Sequence, residues 1–183
     1  MHGRPDLKYS AISGSWRSLS DVVADDVNTA VQSCIVEGRG IVTGGALGVD
    51  FLATERMLYH SKVARSLVVV IPTPLDAYVK HYRMRADEGV ITASDAHRLE
   101  IQLRVVRRSS IGELVEMTGH AVDTHSYFAR NSYVLSMADE LLAFHLDDSP
   151  GTADTIAKAL AANIRTAIKT YKTIAPGVIR RVE

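Results

Sequence analysis

The chain has 183 residues, 46% of them hydrophobic, which suffices for one globular domain with a substantial buried core. Its 21 Lys and Arg residues balance its 21 Asp and Glu residues, so the formal net charge is zero. This balance argues against a protein that binds nucleic acid or a membrane surface through bulk positive charge, and any anion site must be local.

The first part of the chain alternates short apolar runs with helical patterns. Residues 9–12 form an apolar run that ends in a Ser-Gly-Ser turn, and apolar residues then recur at helical spacing from Asp21 to Gly38. A second strand is predicted at residues 40–43 and a second helix at residues 47–60. A third strand, at residues 66–72, is apolar throughout its centre, as expected for a strand that is covered on both faces.

The rest of the chain continues this alternation, except in one segment. The patterns predict helices at residues 75–89, 94–110, 126–138 and 151–162, and strands at residues 140–146 and 164–171. Residues 92–125 match the alternation least well, and we interpret them as a helical insertion. The tail, residues 172–183, contains Pro176 and Gly177 and is predicted to be loose.

Strands that alternate with helices indicate a parallel sheet with helices on both faces, joined by right-handed crossovers. We therefore predict a single α/β domain over residues 1–183. The sheet is expected to be mainly parallel, with about five or more strands.

Three turns in this pattern lie where a strand ends and a helix begins: residues 13–17 (SGSWR), 43–50 (TGGALGVD) and 147–155 (DDSPGTADT). In an open parallel sheet, ligands bind at the carboxyl ends of the strands. Glycine lets the backbone approach a ligand, and the first N–H groups of a helix favour an anion. Each turn alone is equally consistent with ordinary helix capping, but together they predict a phosphate site.

Two well-known phosphate fingerprints are absent from these turns. TGGALG does not match G-x-G-x-x-G, and no Gly precedes the Lys-Ser/Thr pair of a P-loop. The sequence therefore argues against a dinucleotide-dependent dehydrogenase and against a P-loop NTPase.

Three segments together resemble the SLOG superfamily of Rossmann-like proteins. They are TGGALGVDFLATE at residues 43–55, RNSYVLSMADELLAF at residues 130–144 and SPGTADTIAKAL at residues 149–160. The superfamily includes the DNA-processing protein DprA (Smf), the LOG phosphoribohydrolases and the YspA/YpsA-like proteins, and the chain is most similar to the YspA-like branch. This resemblance, which covers most of residues 9–163, implies a Rossmann-like three-layer sandwich that binds a nucleotide or a nucleotide-derived ligand.

The resemblance also implies which residues bind the ligand. By position they are Gly14, Ser15 and Arg17 after the first strand, Gly44, Gly45, Gly48 and Asp50 after the second, Arg130 and Asn131 before the fourth, and Ser149, Gly151 and Thr152 after it. Trp16 interrupts the first motif, which puts the role of Arg17 in doubt. The planar donors of Arg130 suit a phosphate, whereas Asp50 either caps a helix or contacts a ribose hydroxyl.

One departure from the superfamily bears on catalysis. LOG-type hydrolases carry a catalytic Glu three residues after the Thr of a G-G-x-G-T-x-x-E stretch, and here that position is Thr155, next to Asp154. We therefore expect a ligand-binding or sensor protein without robust catalysis, and we assign no catalytic residue. Two alternatives stay open: a LOG-type nucleoside-monophosphate phosphoribohydrolase, which is an N-glycosidase, and a DprA-like module that binds single-stranded DNA.

The remaining residues bear on cofactors, partners and location. The seven His residues lack metal-ligand spacing and Cys34 is the only cysteine, so we expect no metal, no cofactor and no disulfide. Residues 80–108 are locally basic, which we interpret as a solvated or oligomer-contacting helical face. The functional alternative is an arm that closes over a phosphorylated ligand or contacts nucleic acid. We expect a cytoplasmic protein with a nucleotide-like small molecule as its partner and no membrane contact. The resemblance implies a homodimer or larger homo-oligomer, and nucleic acid is the less favoured partner.

Overall fold

The computed structural model describes residues 3–16 and 19–182 of the chain. The strands are Tyr9–Gly14 (β1), Gly40–Thr43 (β2), Leu67–Ile71 (β3), Gly112–Glu116 (β4), Glu140–Leu146 (β5), Arg165–Ala175 (β6) and Val178–Arg181 (β7). The helices are Asp21–Val36 (α1), Val49–His60 (α2), Leu75–Asp87 (α3), Ala93–Arg108 (α4), Thr124–Ser136 (α5) and Pro150–Ala161 (α6). None of these helices is long and apolar enough to span a membrane.

The strands form one sheet in the order β4-β3-β2-β1-β5-β6-β7. Every neighbouring pair is parallel except β6 and β7. From β1 the chain builds outward through β2, β3 and β4, and it then returns to place β5 on the other side of β1. The direction of winding therefore reverses between β1 and β5.

Helices cover both faces of the sheet, so the predicted three-layer α/β architecture is confirmed. On one face, α1 to α4 pack in a cluster that includes Val27, Met57 and Leu103. On the other face, α5 and α6 pack in a second cluster that includes Val134 and Ala159. Because both faces are covered, β3 is apolar along its whole length, and all five of its residues are buried.

The segment 92–125 differs from the predicted helical insertion. It contains α4, but it also contains β4, which pairs in parallel with β3 and forms one edge of the sheet. The sequence GELVE carries a Gly and two Glu residues, and only Val115 in it is buried. An edge strand of this kind leaves one side in solvent, so its sequence lacks the apolar pattern that indicates a strand.

The tail also differs from its prediction as a loose segment. Strand β6 continues to Ala175, and β7 turns back to pair with it in antiparallel register. Gly177, between the two strands, has a φ of 75°, which a glycine adopts without strain. The Pro176-Gly177 pair that suggested looseness thus forms the turn of a hairpin.

Candidate functional site

A cavity of about 510 Å³ lies at the carboxyl ends of β1 and β5, where the winding of the sheet reverses. This is the location at which open α/β sheets bind ligands. Its walls come from the end of β1, the turn before α2 and its first residues, α3 with the following loop, and the first turns of α5 and α6. The lining residues are Ser13, Gly14, Trp16, Ala46, Asp50, His81, Tyr82, Arg85, Ile91, Asp123, Thr124, Tyr127, Phe128, Arg130, Asn131, Ser149, Pro150, Gly151 and Thr152.

The fold brings together many of the residues that the sequence predicted as ligand contacts. Those that line the cavity are Gly14, Asp50, Arg130, Asn131, Ser149, Gly151 and Thr152. Ser15, Gly44, Gly45 and Gly48 do not line it. Arg17 lies outside the described residues.

The glycines of the second turn pack against protein rather than against the cavity. Gly45 and Gly48 have φ angles of 62° and 71°, in the left-handed region that favours glycine. A Cβ added to Gly45 would lie 2.8 Å from Ile71 and 2.9 Å from Val69, and one added to Gly48 would meet the backbone of Ser15. The absence of side chains at Gly45 and Gly48 therefore allows the β2–α2 connection to pack closely on β3 and on the segment after β1.

Asp50 and Arg130 form a buried ion pair that holds this turn in place. Asp50 Oδ2 accepts hydrogen bonds from the backbone N–H of Gly44 at 3.1 Å and of Ala46 at 3.4 Å. Nη1 of Arg130 lies 3.4 Å from the same oxygen and also donates to the carbonyl oxygen of Gly44. Burial raises the pKa of Asp50 to about 6, although Arg130 and the two N–H groups lower it.

Part of the Arg130 guanidinium is not used by this ion pair. Its side chain is 8% exposed, and its Nε has no hydrogen-bond partner among the described residues. The guanidinium carbon lies 5.4 Å from the centre of the Tyr127 ring. Because Arg130 lines the cavity, its guanidinium is suited to meet an anionic ligand there.

The first turn of α6 forms another wall of the cavity. Pro150 begins the helix, after Ser149. A Cβ added to Gly151 would meet no atom within 4 Å, so the helix backbone is open at this residue. The first N–H groups of a helix lack partners within the helix, and they point out of its N-terminus together with the positive end of its dipole.

Polar side chains fix the position of this turn. The hydroxyl groups of Ser149 and Thr152 are 3.1 Å apart. Asn131 Nδ2 donates to the carbonyl oxygen of Gly151 at 3.4 Å and to Asp154 at 3.1 Å. Helix α5 thereby holds the N-terminus of α6 against the cavity.

Sequence reasoning missed the contribution of α3 and the aromatic residues of α5. His81, Tyr82 and Arg85 of α3 line the cavity, as do Tyr127 and Phe128 of α5. Burial, followed by the nearby charge of Arg85, lowers the pKa of His81. The sequence placed these residues correctly on helices, but periodicity alone does not tell which helix faces the ends of the strands.

Two carboxylates and the His81 imidazole are the groups of the cavity walls that can exchange a proton near neutral pH. Of its carboxylates, Asp50 is bound to the Gly44 turn, and Asp123 caps α5 by accepting from the N–H of Ser126 at 2.8 Å. Residues 3–16 and 19–182 contain no cluster of His, Cys, Asp and Glu that could hold a metal ion. The walls combine N–H groups, cationic side chains and aromatic rings, which are suited to an anion joined to a flat ring.

Three solved structures have folds similar to this one. DNA processing protein A from Helicobacter pylori, described for its mode of binding single-stranded DNA, matches with a TM-score of 0.65 at 22% identity, over 91% of this chain and 69% of its own. The protein TM1055 matches with a TM-score of 0.55 at 15% identity, over 87% of this chain and 72% of its own. The Moco carrier protein from Chlamydomonas reinhardtii matches with a TM-score of 0.52 at 19% identity, over 88% of this chain and 75% of its own.

No family model matches the sequence, and no curated protein matches it either. At identities below a quarter, the structural matches establish a shared Rossmann-like α/β fold and leave the ligand open.

Proposed function

We propose that this protein binds a phosphorylated, nucleotide-like small molecule in the cavity at the β1/β5 reversal. One observation carries the proposal: the N-terminus of α6, open at Gly151, forms a wall of a cavity at the carboxyl ends of the strands. Backbone N–H groups and the helix dipole favour a phosphate at such a position. The volume of about 510 Å³ lies within the range of small-molecule sites.

The side chains around this position support the same ligand. Two guanidinium groups line the cavity: Arg130, which is paired with Asp50, and Arg85, which is paired with Glu88. The rings of Tyr82, Tyr127 and Phe128 offer surfaces on which a nucleobase can stack. We therefore place the phosphate at α6 and the base toward α3 and α5.

Binding without robust turnover is the form of the function that we propose. A phosphoribohydrolase needs a carboxylate beside the ribose, and the carboxylates that line this cavity are already hydrogen-bonded within the protein. We favour a small molecule over single-stranded DNA because the polar groups converge in one cavity rather than along a basic groove.

Thermal unfolding with a ligand panel tests this proposal. The panel contains AMP, ADP, GMP, adenosine, inorganic phosphate and a single-stranded oligonucleotide. A ligand present at 100 times its Kd should stabilise the fold by about 2.7 kcal/mol, so AMP or ADP should raise Tm more than adenosine or phosphate alone. If no nucleotide raises Tm, the proposal is refuted. Stabilisation by the oligonucleotide alone, lost as salt is raised, would instead favour the DNA-binding alternative.

The assembly state and the cytoplasmic location stay predictions from the sequence. The resemblance implies a homodimer or larger homo-oligomer, and light scattering during size-exclusion chromatography would measure it. A monomer at micromolar concentration would contradict this part of the prediction.

A further inference from the structure

A second cavity, of about 720 Å³, lies next to the first one. The two cavities share Trp16 and Ile91, which line both of them. The second cavity is otherwise built from the start of α2 and from the loop and first turns that lead into α4. Each cavity alone falls in the range of about 300–1,000 Å³ that holds one small molecule.

One wall of the second cavity is a stacked pair of flat groups. The Arg98 guanidinium carbon lies 4.9 Å from the centre of the Phe51 ring, and both residues line the cavity. Nucleobases stack on aromatic rings and on the planes of guanidinium groups. Arg98 is exposed, so its outer face is accessible to a ligand.

Two carboxylates lie in the same cavity. Asp95 Oδ2 accepts a hydrogen bond from Thr92 Oγ1 at 2.7 Å, which leaves its second oxygen for another donor. Glu55 is exposed, and its carboxylate forms no hydrogen bond or ion pair within the part of the chain that the structure describes. Carboxylate oxygens beside a stacking surface are suited to accept hydrogen bonds from the hydroxyl groups of a ribose.

We propose that the two cavities hold the two halves of a pyrophosphate-linked dinucleotide. The first nucleotide occupies the cavity at α6, as in the proposed function on which this inference rests. The pyrophosphate passes the Trp16–Ile91 boundary, and the second nucleoside stacks on Arg98 and Phe51 with its ribose toward Glu55 and Asp95. The inference thus narrows the ligand from any phosphorylated, nucleotide-like small molecule to a dinucleotide joined through a pyrophosphate.

Binding of matched adenine probes tests the inference. AMP, ADP, ADP-ribose and diadenosine diphosphate contain successively more of the proposed ligand. Trp16 is the only tryptophan and lines both cavities, so its fluorescence reports binding in either one, and calorimetry gives the affinity. We expect diadenosine diphosphate to bind about tenfold or more tightly than ADP, since one added base stacks. Equal affinities would overturn the inference while leaving the proposed function intact, and no binding of any probe would overturn both.

Substitutions in the second cavity test whether the higher affinity for diadenosine diphosphate arises from contacts in that cavity. Arg98→Lys keeps the charge but removes the flat stacking plane. Glu55→Gln removes the negative charge and replaces one of the two acceptor oxygens with an NH2 donor. Each should weaken the binding of diadenosine diphosphate by about fivefold or more, on the scale of single base-stacking contacts. Each should change the affinity for AMP by no more than about twofold. Glu37→Gln, an exposed change that lies outside both cavities, is the matched control and should alter neither affinity. A loss that is equal for AMP and the dinucleotide, or no loss for either variant, would contradict a second nucleoside site.

Discussion

Replacing Gly151 with Glu places a negative charge at the proposed phosphate position without disturbing the fold. A side chain added at this residue meets no atom within 4 Å, and the residue lies in the first turn of α6. A carboxylate in the first turn of a helix is favourable by about 0.3–1 kcal/mol, and any residue but Pro is a better helix former than Gly. We therefore expect the free variant to be at least as stable as the wild type.

The same carboxylate should oppose a bound phosphate. Two unit charges about 5 Å apart interact by about 3 kcal/mol at the effective dielectric constant of about 20 near a protein surface. Gly151 is exposed, so solvent and salt screen this repulsion to roughly half. Binding of a nucleotide should then weaken by about tenfold, since about 1.4 kcal/mol corresponds to a factor of ten.

Gly151→Gln is the matched control, because its side chain has the same size and no charge. Calorimetry with the best nucleotide of the panel, at low and at high salt, compares the two variants. We expect the tenfold gap between Glu and Gln to narrow at high salt, and both variants to retain the wild-type Tm. Equal nucleotide affinity in the two variants at low salt would refute the placement of the phosphate at α6.

Three further changes test the turn that supports the site. Gly45→Val should destabilise the fold by roughly 1–3 kcal/mol, seen in urea unfolding, because the residue has a positive φ and its Cβ would press on β3. Gly44→Ala should be less costly in an Arg130→Ala background, because its Cβ would meet the Arg130 side chain, and additive effects would contradict this contact. Burial raises the pKa of Asp50 from 3.8 to about 6, so the folded state binds a proton there before the unfolded chain does. The free energy of unfolding of the wild type, relative to that of Asp50→Asn, should thus be highest below about pH 4 and fall as pH rises through about 6. A constant difference between the two proteins across this range would contradict this prediction.

The sequence predicted β3, which helices cover on both faces, and missed β4, which is mostly outside the core. The run at β3 is apolar throughout because helices bury both faces, and such a run is visible in any sequence. Strand β4 joins the same sheet, but only Val115 among its residues is buried. Its strand conformation depends on pairing with β3, which lies far from it in the chain, and no local pattern encodes that pairing.

For the candidate site, the sequence predicted the edge of the sheet at which the cavity lies better than it predicted the residues that line the cavity. The carboxyl ends of β1 and β5 followed from the alternation of elements, and the turn at Gly151 followed from its motif. The motif did not separate a glycine that lines the cavity with open space at its Cβ position, as Gly151 does, from one that packs against β3, as Gly45 does. At both positions the absence of a side chain leaves room, and only the tertiary structure shows which group lies next to the glycine.

The structure also bears on whether the site can cleave a nucleotide. The motif resemblance places Thr155 at the position of the catalytic Glu in LOG-type enzymes. Thr155 is buried, and its hydroxyl donates to the carbonyl oxygen of Gly151 at 2.9 Å. Asp154 does not line the cavity, and its Oδ2 accepts from Asn131 at 3.1 Å and from Lys158 at 2.8 Å. Neither side chain is placed to stabilise positive charge that develops on a ribose.

We therefore expect AMP to bind without release of adenine. Thr155→Glu should not create that release, because it would bury a carboxylate in a space occupied by a hydroxyl and would destabilise α6 instead. Chromatography after prolonged incubation of AMP with the wild type, Arg130→Ala and Thr155→Glu measures the free base directly. Steady release of adenine by the wild type that disappears in Arg130→Ala would show that the cavity performs the hydrolysis. In that case, a carboxylate would have to leave its present hydrogen bonds to contact the ribose. Asp50 has a raised pKa and contacts Arg130, so Asp50→Asn would be the first substitution to test.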